Sequence, residues 1–289
     1  MVSHLARYYL RTRPKRSAAA YAKIWRKKPD GSFAKEAPLV EITREQASKL
    51  QLRFPDMPIE VGMRYGEPSL KNSIDGLLAK GCKRIAVLPL YPQYAGATTR
   101  SVEQEIEKVM SGIGSTAPKI KSLDHYYAHT GYIDALADSL ASHVSSLDYV
   151  PDQVLVSFHG IPVSSVEKGD PYLDHCTATF DLMKAHKKLE SMNLKLTFQS
   201  RFGPKEWLSP YTLITLQEMP ESGMKNAVVI TPGFPADCLE TMEEISMEAN
   251  EEFKEKGGEN FSVVACLNSD DAHIDVLQNL IETKLLADW

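Results

Sequence analysis

A histidine stands where the sequence predicts the end of an apolar strand. His159 follows the apolar run 153–158 and precedes Gly160 and, after one more residue, Pro162. Because glycine allows unusual backbone angles and proline stops a strand, we expect the imidazole to project beyond the sheet. A neutral imidazole accepts a proton at about pH 7 or ligates a borderline metal ion. The alternative is a loop histidine that bonds a neighbouring backbone group.

A file of glutamates follows another apolar strand, predicted at 227–231. Glu240, Glu244 and Glu248 recur every four residues, which stacks like charges on one face of a helix. Close carboxylates raise one another's proton affinity, which suits proton acceptance and metal capture. A capping box offers a structural explanation for the first of them, with Asp237 as N-cap and Glu240 three residues later.

The loop after the strand predicted at 194–199 carries one large aromatic side chain, Trp207. Gly203 and Pro204 mark this stretch as a loop. The indole is either a lid on the core or a stacking platform for a planar ligand. Without further information, covering the core is the commoner role.

Apolar periodicity predicts an α/β protein in which strands and helices alternate. Strands are predicted at 59–65, 84–90, 153–158, 194–199, 227–231 and 261–267, and helices at 44–53, 69–80, 98–110, 131–145, 172–189, 211–219, 237–256 and 272–286. The alternation is typical of parallel sheets with helices on both faces. Ligands of such sheets bind beyond the carboxyl ends of the strands, where Tyr91, His159 and Glu240 fall.

Two pairs of matching motifs indicate an internal repeat. The tetrapeptides PLYP at 89–92 and PGFP at 232–235 lie 143 residues apart, and the tripeptides RYG at 64–66 and RFG at 201–203 lie 137 residues apart. We therefore expect two similar α/β halves that face each other across a ligand cleft.

The repeat also predicts a strand in the first half that the sequence does not show. The strand 153–158 precedes the second RFG-type motif, so a matching strand is expected near residues 15–25. That stretch is instead basic and helical in pattern. The partner strand is expected to be lost, or to lie upstream of Met1.

Composition narrows the class of protein. The chain has 289 residues, 43% apolar and 25% charged, with a formal charge of −5, which argues against disorder and against nucleic-acid binding. No apolar run reaches the roughly 18 residues of a transmembrane helix, and residues 1–10 show no signal-peptide core, so a cytoplasmic protein is expected.

Residues 1–35 hold ten basic side chains and one acid, which is typical of a solvated arm and less often of attraction to a membrane surface. The four cysteines form no Cys-x-x-Cys pair, so disulfides and structural zinc are not expected.

Five segments of the chain resemble the ferrochelatases, the enzymes that insert ferrous iron into protoporphyrin IX in the last step of haem synthesis. These segments are LYPQYAGATT at 90–99, LVSFHGIP at 155–162, KGDPY at 168–172, FQSRFGPKEWL at 198–208 and PGFPADCLETMEEI at 232–245. They occur in the family's order, and the resemblance extends from Ala19 to the final helix.

The resemblance implies a metal chelatase of the lyase class with two Rossmann-like domains and parallel sheets. The expected domains are residues 1–125 and 126–289, with the last helix packing on the first half and a porphyrin cleft between the two. The expected product is protohaem, formed with the release of two protons.

The resemblance also implies roles for particular residues. His159, Glu240 and Glu244 are expected to be catalytic, with His159 and Glu240 contacting the metal and with Glu244 and Glu248 relaying protons or metal. The residues that match the family's porphyrin pocket are Arg64, Tyr65, Tyr91 and Trp207.

Two features of the family are absent from this sequence. The opening strand that ends in Leu-Gly-Thr/Ser-Pro and the lip segment after it are missing, which agrees with the strand missing from the repeat. Gly96 stands in the stretch where cluster-bearing members carry a cysteine, and the chain ends at Trp289 without a cysteine-rich tail. We expect iron as a substrate, no tightly bound cofactor and no iron–sulfur cluster.

Other interpretations stay open at this point. The chain could be a chelatase for another tetrapyrrole or metal, a porphyrin- or haem-binding protein without turnover, or a protein that does not fold. The expected partners are a porphyrin and ferrous iron and not nucleic acid. The sequence leaves open peripheral membrane contact and the choice between monomer and homodimer.

Overall fold

Six strands form two parallel sheets in the computed structural model, which describes residues 17–27 and 30–289. The strands are β1 (Arg84–Val87), β2 (Lys119–Ser122), β3 (Gln153–His159), β4 (Leu194–Gln199), β5 (Asn226–Ile230) and β6 (Asn260–Val263). In the second half the strands pair in the order β4-β3-β5-β6. In the first half β1 pairs with β2. The predicted α/β class with parallel sheets is confirmed. Residues 1–16 of the expected first domain lie outside the described ranges.

Helices connect the strands. The α-helices span Pro38–Arg53, Leu70–Ala79, Thr99–Ile113, Thr130–Ser145, Val163–Val166, Tyr172–Lys184, Thr212–Glu218, Asn250–Glu255 and Asp271–Leu280, and residues 17–24 are also helical. Single 3₁₀ turns lie at Gly114–Thr116, Lys187–Leu189 and Pro220–Ser222. Two segments, Glu240–Ala249 and Ile281–Leu285, are π-helices. The predicted helix 237–256 is therefore a π-helix followed by a short α-helix.

The central strand β3 is apolar because both of its faces are buried. Residues 153–158 are all buried, as expected for a parallel strand covered by helices on both sides. Val154, Val156 and Phe158 pack into the largest cluster of the core, whereas Leu155 packs into a second cluster with Ile245 of the π-helix. Because successive side chains of β3 point to opposite faces of the sheet, Leu155 places the π-helix Glu240–Ala249 on one face of the second sheet.

The predicted strand 59–65 is not formed. Met63 makes an isolated bridge with Ser69, and its N–H donates to the carbonyl of Pro68 at 2.7 Å. The carbonyl of Val61 accepts the hydroxyl of Ser73. A strand needs a hydrogen-bonded neighbour, and within residues 17–27 and 30–289 no strand lies beside this segment.

The internal repeat explains which neighbour is lacking. With the offset of the PLYP motif, β1 corresponds to β5. With the offset of the RYG motif, the segment 57–65 corresponds to β4 and the residues after it. In the second half β3 lies between β4 and β5. No strand of the described chain takes the equivalent place in the first half, and the segments 57–65 and 84–91 both face a cavity.

The chain's last helices pack on its first half. The helix Asp271–Leu280 contacts the helix Pro38–Arg53, and Leu50 shares an apolar cluster with Leu277 and Ile281. Gln46, which is buried, donates from Nε2 to the carbonyl of Asn268 at 2.8 Å. Among the helices that the structure describes, none has both the length and the apolar character to cross a bilayer.

Candidate functional site

A cavity of about 800 Å³ lies between the two halves, a size typical of small-molecule sites. The first half contributes Arg64, Tyr65 and Tyr91, and the second half contributes His159 and Glu240. Tyr91, His159 and Glu240 were predicted at separate strand ends, and Arg64 and Tyr65 were predicted from the resemblance; the structure brings all five onto one surface. The lining also includes residues that were not predicted as site residues, among them Tyr21, Phe234 and Cys238.

The hydrogen bond of His159 decides which ring nitrogen is available for chemistry. Nδ1 lies 2.7 Å from the carbonyl oxygen of Gly160. Because a carbonyl can only accept, Nδ1 carries the proton and Nε2 of the neutral ring keeps its lone pair. The ring centroid is 6.4 Å from that of Phe234, which follows the neighbouring strand β5 at the same end of the sheet. His159 therefore offers one free basic nitrogen at the cavity.

The predicted capping box at Asp237 and Glu240 is wrong. The π-helix begins at Glu240, and the hydroxyl of Thr241 accepts the N–H of Cys238 at 3.0 Å and donates to Asp237 at 3.0 Å. Asp237 also accepts the side-chain amide of Asn268 at 2.7 Å. A threonine hydroxyl reaches the local backbone without a carboxylate, so the side chain of Glu240 is left to face the cavity.

The row of glutamates at 240, 244 and 248 extends from the cavity to the protein surface. Glu240 lines the cavity, Glu244 is partly buried one turn along the π-helix, and Glu248 is exposed. A π-helix closes i→i+5 hydrogen bonds and so holds more residues per turn than an α-helix. Side chains four residues apart therefore stack more nearly above one another than the α-helical pattern predicts.

Glu244 is held by Ser200, the residue that follows β4. Its carboxylate accepts the backbone N–H of Ser200 at 2.7 Å and the Ser200 hydroxyl at 2.6 Å. Burial raises the pKa of Glu244 above its ordinary value, and the bonds from Ser200, the electrostatic interaction with His159 and the amide of Gln199 partly offset that rise. Glu244 does not line the cavity.

Two phenols face the carboxylate of Glu240 from other walls of the cavity. The pKa of Tyr21 is raised, first by burial and then by the charge of Glu240. The pKa of Tyr91 is raised mainly by burial and by Tyr65, with a smaller contribution from Glu240 that Arg64 opposes. Glu240 and Tyr91 thus line the same cavity from different halves of the chain.

Arg64 is held through two of its three guanidinium nitrogens. Its Nε donates to the Ser101 carbonyl at 2.9 Å and to the Ser101 hydroxyl at 2.6 Å. Its Nη1 lies 3.7 Å from a carboxylate oxygen of Glu105, and its guanidinium carbon lies 4.5 Å from the ring centroid of Tyr65, which is 74% exposed. The N–H groups of Nη2 can bind an anionic group at the cavity.

Trp207 does not line the cavity, and neither do Glu244 and Glu248. Trp207 forms an isolated bridge with Pro162. A Cβ placed on Gly160 would lie 3.3 Å from its ring, so the indole packs behind the loop that carries His159. The structure assigns Trp207 support of that loop, and contact with a planar ligand stays a prediction.

Comparison with known proteins gives one consistent family. A family model described as Ferrochelatase matches residues 1–285. The chain is 43% identical to the Ferrochelatase of Bradyrhizobium diazoefficiens over 279 residues, which cover 96% of this chain and 79% of that protein. It is 44% identical to the Ferrochelatase of Rhodopseudomonas palustris over 279 residues, with 96% and 79% covered, and 43% identical to that of Brucella canis over 281 residues, with 96% and 78% covered.

Solved structures show the same fold at much lower identity. SirB from Bacillus subtilis with Fe³⁺ superposes with a TM-score of 0.58 at 13% identity and covers 83% of this chain and 89% of its own. DR2241 from Deinococcus radiodurans, a multi-domain protein with structural similarity to chelatases, superposes with a TM-score of 0.51 at 16% identity, covering 85% of this chain and 51% of its own. Both comparisons support the chelatase fold.

Proposed function

The chain belongs to the ferrochelatase family, and we propose that His159 and Glu240 carry out the family's reaction at the cavity between the two halves. It is a metal chelatase that inserts Fe(II) into protoporphyrin IX and releases two protons to give protohaem. The observation that carries the assignment is that the free Nε2 of His159 and the uncapped carboxylate of Glu240 face the same cavity. Iron enters as a substrate, and the proton chemistry requires no further cofactor.

The two protons leave the porphyrin by way of these two groups. Each pyrrole N–H that gives up its proton leaves its electron pair on nitrogen, which then binds iron. Nε2 of His159 accepts one proton because Nδ1 is already committed to the Gly160 carbonyl. The carboxylate of Glu240 accepts the other. The iron keeps its +2 charge throughout, so no oxidant or reductant takes part.

Imidazole and carboxylate are also suitable transient ligands for Fe(II). A nitrogen donor and an oxygen donor bind this borderline ion without the strong retention that thiolate ligands give. His159 ends β3, and Glu240 begins the π-helix. Both positions follow the carboxyl ends of parallel strands, so the ion is delivered at the rim where the macrocycle lies.

The glutamates beyond Glu240 provide an exit for protons. Glu244 is partly buried with a raised pKa, and Glu248 is exposed. A carboxyl group with a raised pKa accepts a proton more readily and can pass it to a neighbouring acid. We propose that protons move from Glu240 through Glu244 to Glu248 and then to water.

The first half supplies the surface that holds the porphyrin. Tyr91 and Tyr65 present ring surface to the cavity, and Arg64 provides a positive charge at its edge. Protoporphyrin IX carries propionate groups, which the N–H groups of Arg64 Nη2 can bind, since Nη1 is paired with Glu105. A macrocycle gripped by rigid walls is bent more easily toward the geometry that exposes its nitrogens to the metal.

Anaerobic chelation by variants at His159 and Glu240 tests this assignment. We expect His159→Ala and Glu240→Ala each to lower kcat by about a hundredfold or more, while both still quench porphyrin fluorescence on binding. A protein that only binds would shift the porphyrin spectrum without forming haem. Wild-type chelation rates in both variants would refute the assignment.

A further inference from the structure

Gln199 contacts the backbone next to both proposed catalytic residues. It ends β4 and is the register partner of His159 on β3. Its carbonyl accepts the N–H of Gly160 at 2.8 Å, and its side-chain Nε2 donates to the carbonyl of Glu240 at 2.9 Å. Gln199 is only 4% exposed. One buried residue thus links the strand end that carries His159 to the first turn of the acidic helix.

Buried hydroxyls hold the Gln199 amide in a single orientation. Ser157, two residues before His159 and fully buried, donates its hydroxyl to Oε1 of Gln199 at 2.9 Å. The hydroxyl of Thr212 lies 2.7 Å from that of Ser157 and 2.9 Å from that of Thr197. Since the Glu240 carbonyl can only accept, it requires the amide nitrogen on its side, and Ser157 supplies the donor that the amide oxygen needs.

We propose that Gln199 is a positioning residue for metal insertion, one that sets the separation and orientation of His159 and Glu240 without touching substrate. The inference rests on the proposed function, because it takes those two residues as the catalytic groups. Gln199 does not line the cavity, so its effect must pass through the groups it holds. Misplacement by about 1 Å can lower a rate by about a hundredfold.

The sheet offers a matched control for this residue. Gln153 is also a buried glutamine, but it begins β3 at the end of the strand remote from His159, and it does not line the cavity. Its Oε1 has no hydrogen-bond partner in the described structure. Replacing either glutamine by methionine removes a buried amide at similar volume, and only Gln199→Met removes a bond to the catalytic turn.

The test compares kcat, the KM for Fe(II) and the dissociation constant for protoporphyrin in the two variants. We expect Gln199→Met to lower kcat about 10- to 100-fold with porphyrin binding within about twofold of wild type. Gln153→Met should keep kcat within about twofold of wild type. A wild-type kcat in Gln199→Met, an equal loss in both variants, or porphyrin binding that weakens in parallel with kcat would each overturn the proposal.

A second variant decides the matter if Gln199→Met does not fold. Ser157→Ala frees the amide to rotate while Gln199 itself stays, so kcat should fall about 3- to 10-fold; an unchanged kcat would overturn the proposal. Parallel measurements on His159→Ala and Glu240→Ala separate the two claims. Full loss there with an unaffected Gln199→Met refutes the role of Gln199 alone, whereas activity retained there refutes the proposed function.

Discussion

Ser200 donates both its backbone N–H and its hydroxyl to the carboxylate of Glu244, at 2.7 and 2.6 Å. To do so it adopts a φ of 66°, a left-handed conformation that costs a residue with a Cβ on the order of 1 kcal/mol or more. The two hydrogen bonds to Glu244 hold Ser200 in this conformation. The consequence is a partly buried carboxylate with a fixed orientation near His159 and Glu240, the proposed catalytic residues.

Removing the Ser200 hydroxyl should change the ionisation of Glu244. Hydrogen bonds to a carboxylate favour its charged form, so Ser200→Ala should raise the pKa of Glu244 further above its ordinary value. Deprotonation then needs a higher pH, and the acid limb of the chelation pH profile should move toward higher pH. The profile of kcat against pH measures this shift, and an unchanged acid limb would show that Glu244 does not participate.

A second substitution at Ser200 separates the effect of backbone strain on stability from the effect of the lost hydroxyl. Ser200→Gly also lacks the hydroxyl, but glycine adopts positive φ without a Cβ penalty. We expect Ser200→Gly to unfold at higher denaturant concentration than Ser200→Ala, with a difference of about 1 kcal/mol in the free energy of unfolding. Equal stability of the two variants would mean that the left-handed conformation is not costly here.

Glu244→Gln should slow turnover and leave porphyrin binding intact. The amide retains the size of the side chain and cannot carry a proton outward, so kcat should fall about tenfold with little change in the porphyrin dissociation constant. Glu251→Gln is the matched control, because Glu251 is an exposed acid on the following helix. If both variants turn over at the wild-type rate, protons leave by another route.

Gly160→Ala should lower both the free energy of unfolding and kcat. A Cβ at this position would lie 2.9 Å from the Gln199 carbonyl oxygen and 3.3 Å from the Trp207 ring. We expect a loss of about 2 kcal/mol in the free energy of unfolding and a lower kcat, because the loop that orients His159 must shift. Gly112→Ala, in a helix with open space around it, should instead stabilise by about 0.5–1 kcal/mol. Unfolding in urea checks both, and a neutral Gly160→Ala would contradict the close packing.

His175 should make the protein less stable in mild acid. Its Nδ1 accepts the N–H of Tyr94 at 3.1 Å, and burial, together with His125, lowers its pKa to about 4. The pKa of histidine in the unfolded chain is about 6.5, so above that pH the ionisation of His175 does not lower the free energy of unfolding. As the pH falls toward about 4, the unfolded chain binds a proton at His175 and the folded protein does not, so the free energy of unfolding decreases.

Urea unfolding at several pH values measures this contribution. Wild type should lose on the order of 1–3 kcal/mol between pH 6.5 and pH 4 from this group. His175→Asn keeps an acceptor near the position of Nδ1 and cannot titrate, so its stability should fall less over the same interval. Identical pH dependence in the two proteins would show that His175 is not held neutral.

The strand ends could be predicted from the sequence because their residues obey local rules. His159 follows a buried apolar run and precedes Gly160, and the position of Glu240 follows from a second such run. The carboxyl ends of neighbouring parallel strands meet by topology. That is why residues far apart in sequence were expected, and found, at one cavity.

The features that could not be predicted depend on tertiary neighbours. The segment 59–65 has the composition of a strand but lacks a pairing partner in the described chain. Thr241 replaced Glu240 as the partner of Asp237 because a hydroxyl four residues on reached it in the folded turn. Gln199 was predicted only as the last residue of a strand and Ser200 only as part of the loop after it, because their partners Glu240 and Glu244 lie more than 40 residues away in sequence.

A double-mutant cycle on His159 and Glu240 tests the central claim most directly. Anaerobic chelation rates are measured for wild type, His159→Ala, Glu240→Ala and the double variant, with porphyrin binding as the control. Groups that act as a unit are not additive, so the double variant should lose little more activity than the more damaged single variant. Losses that multiply independently, or a single variant with the wild-type rate, would contradict the joint action of His159 and Glu240 on one macrocycle.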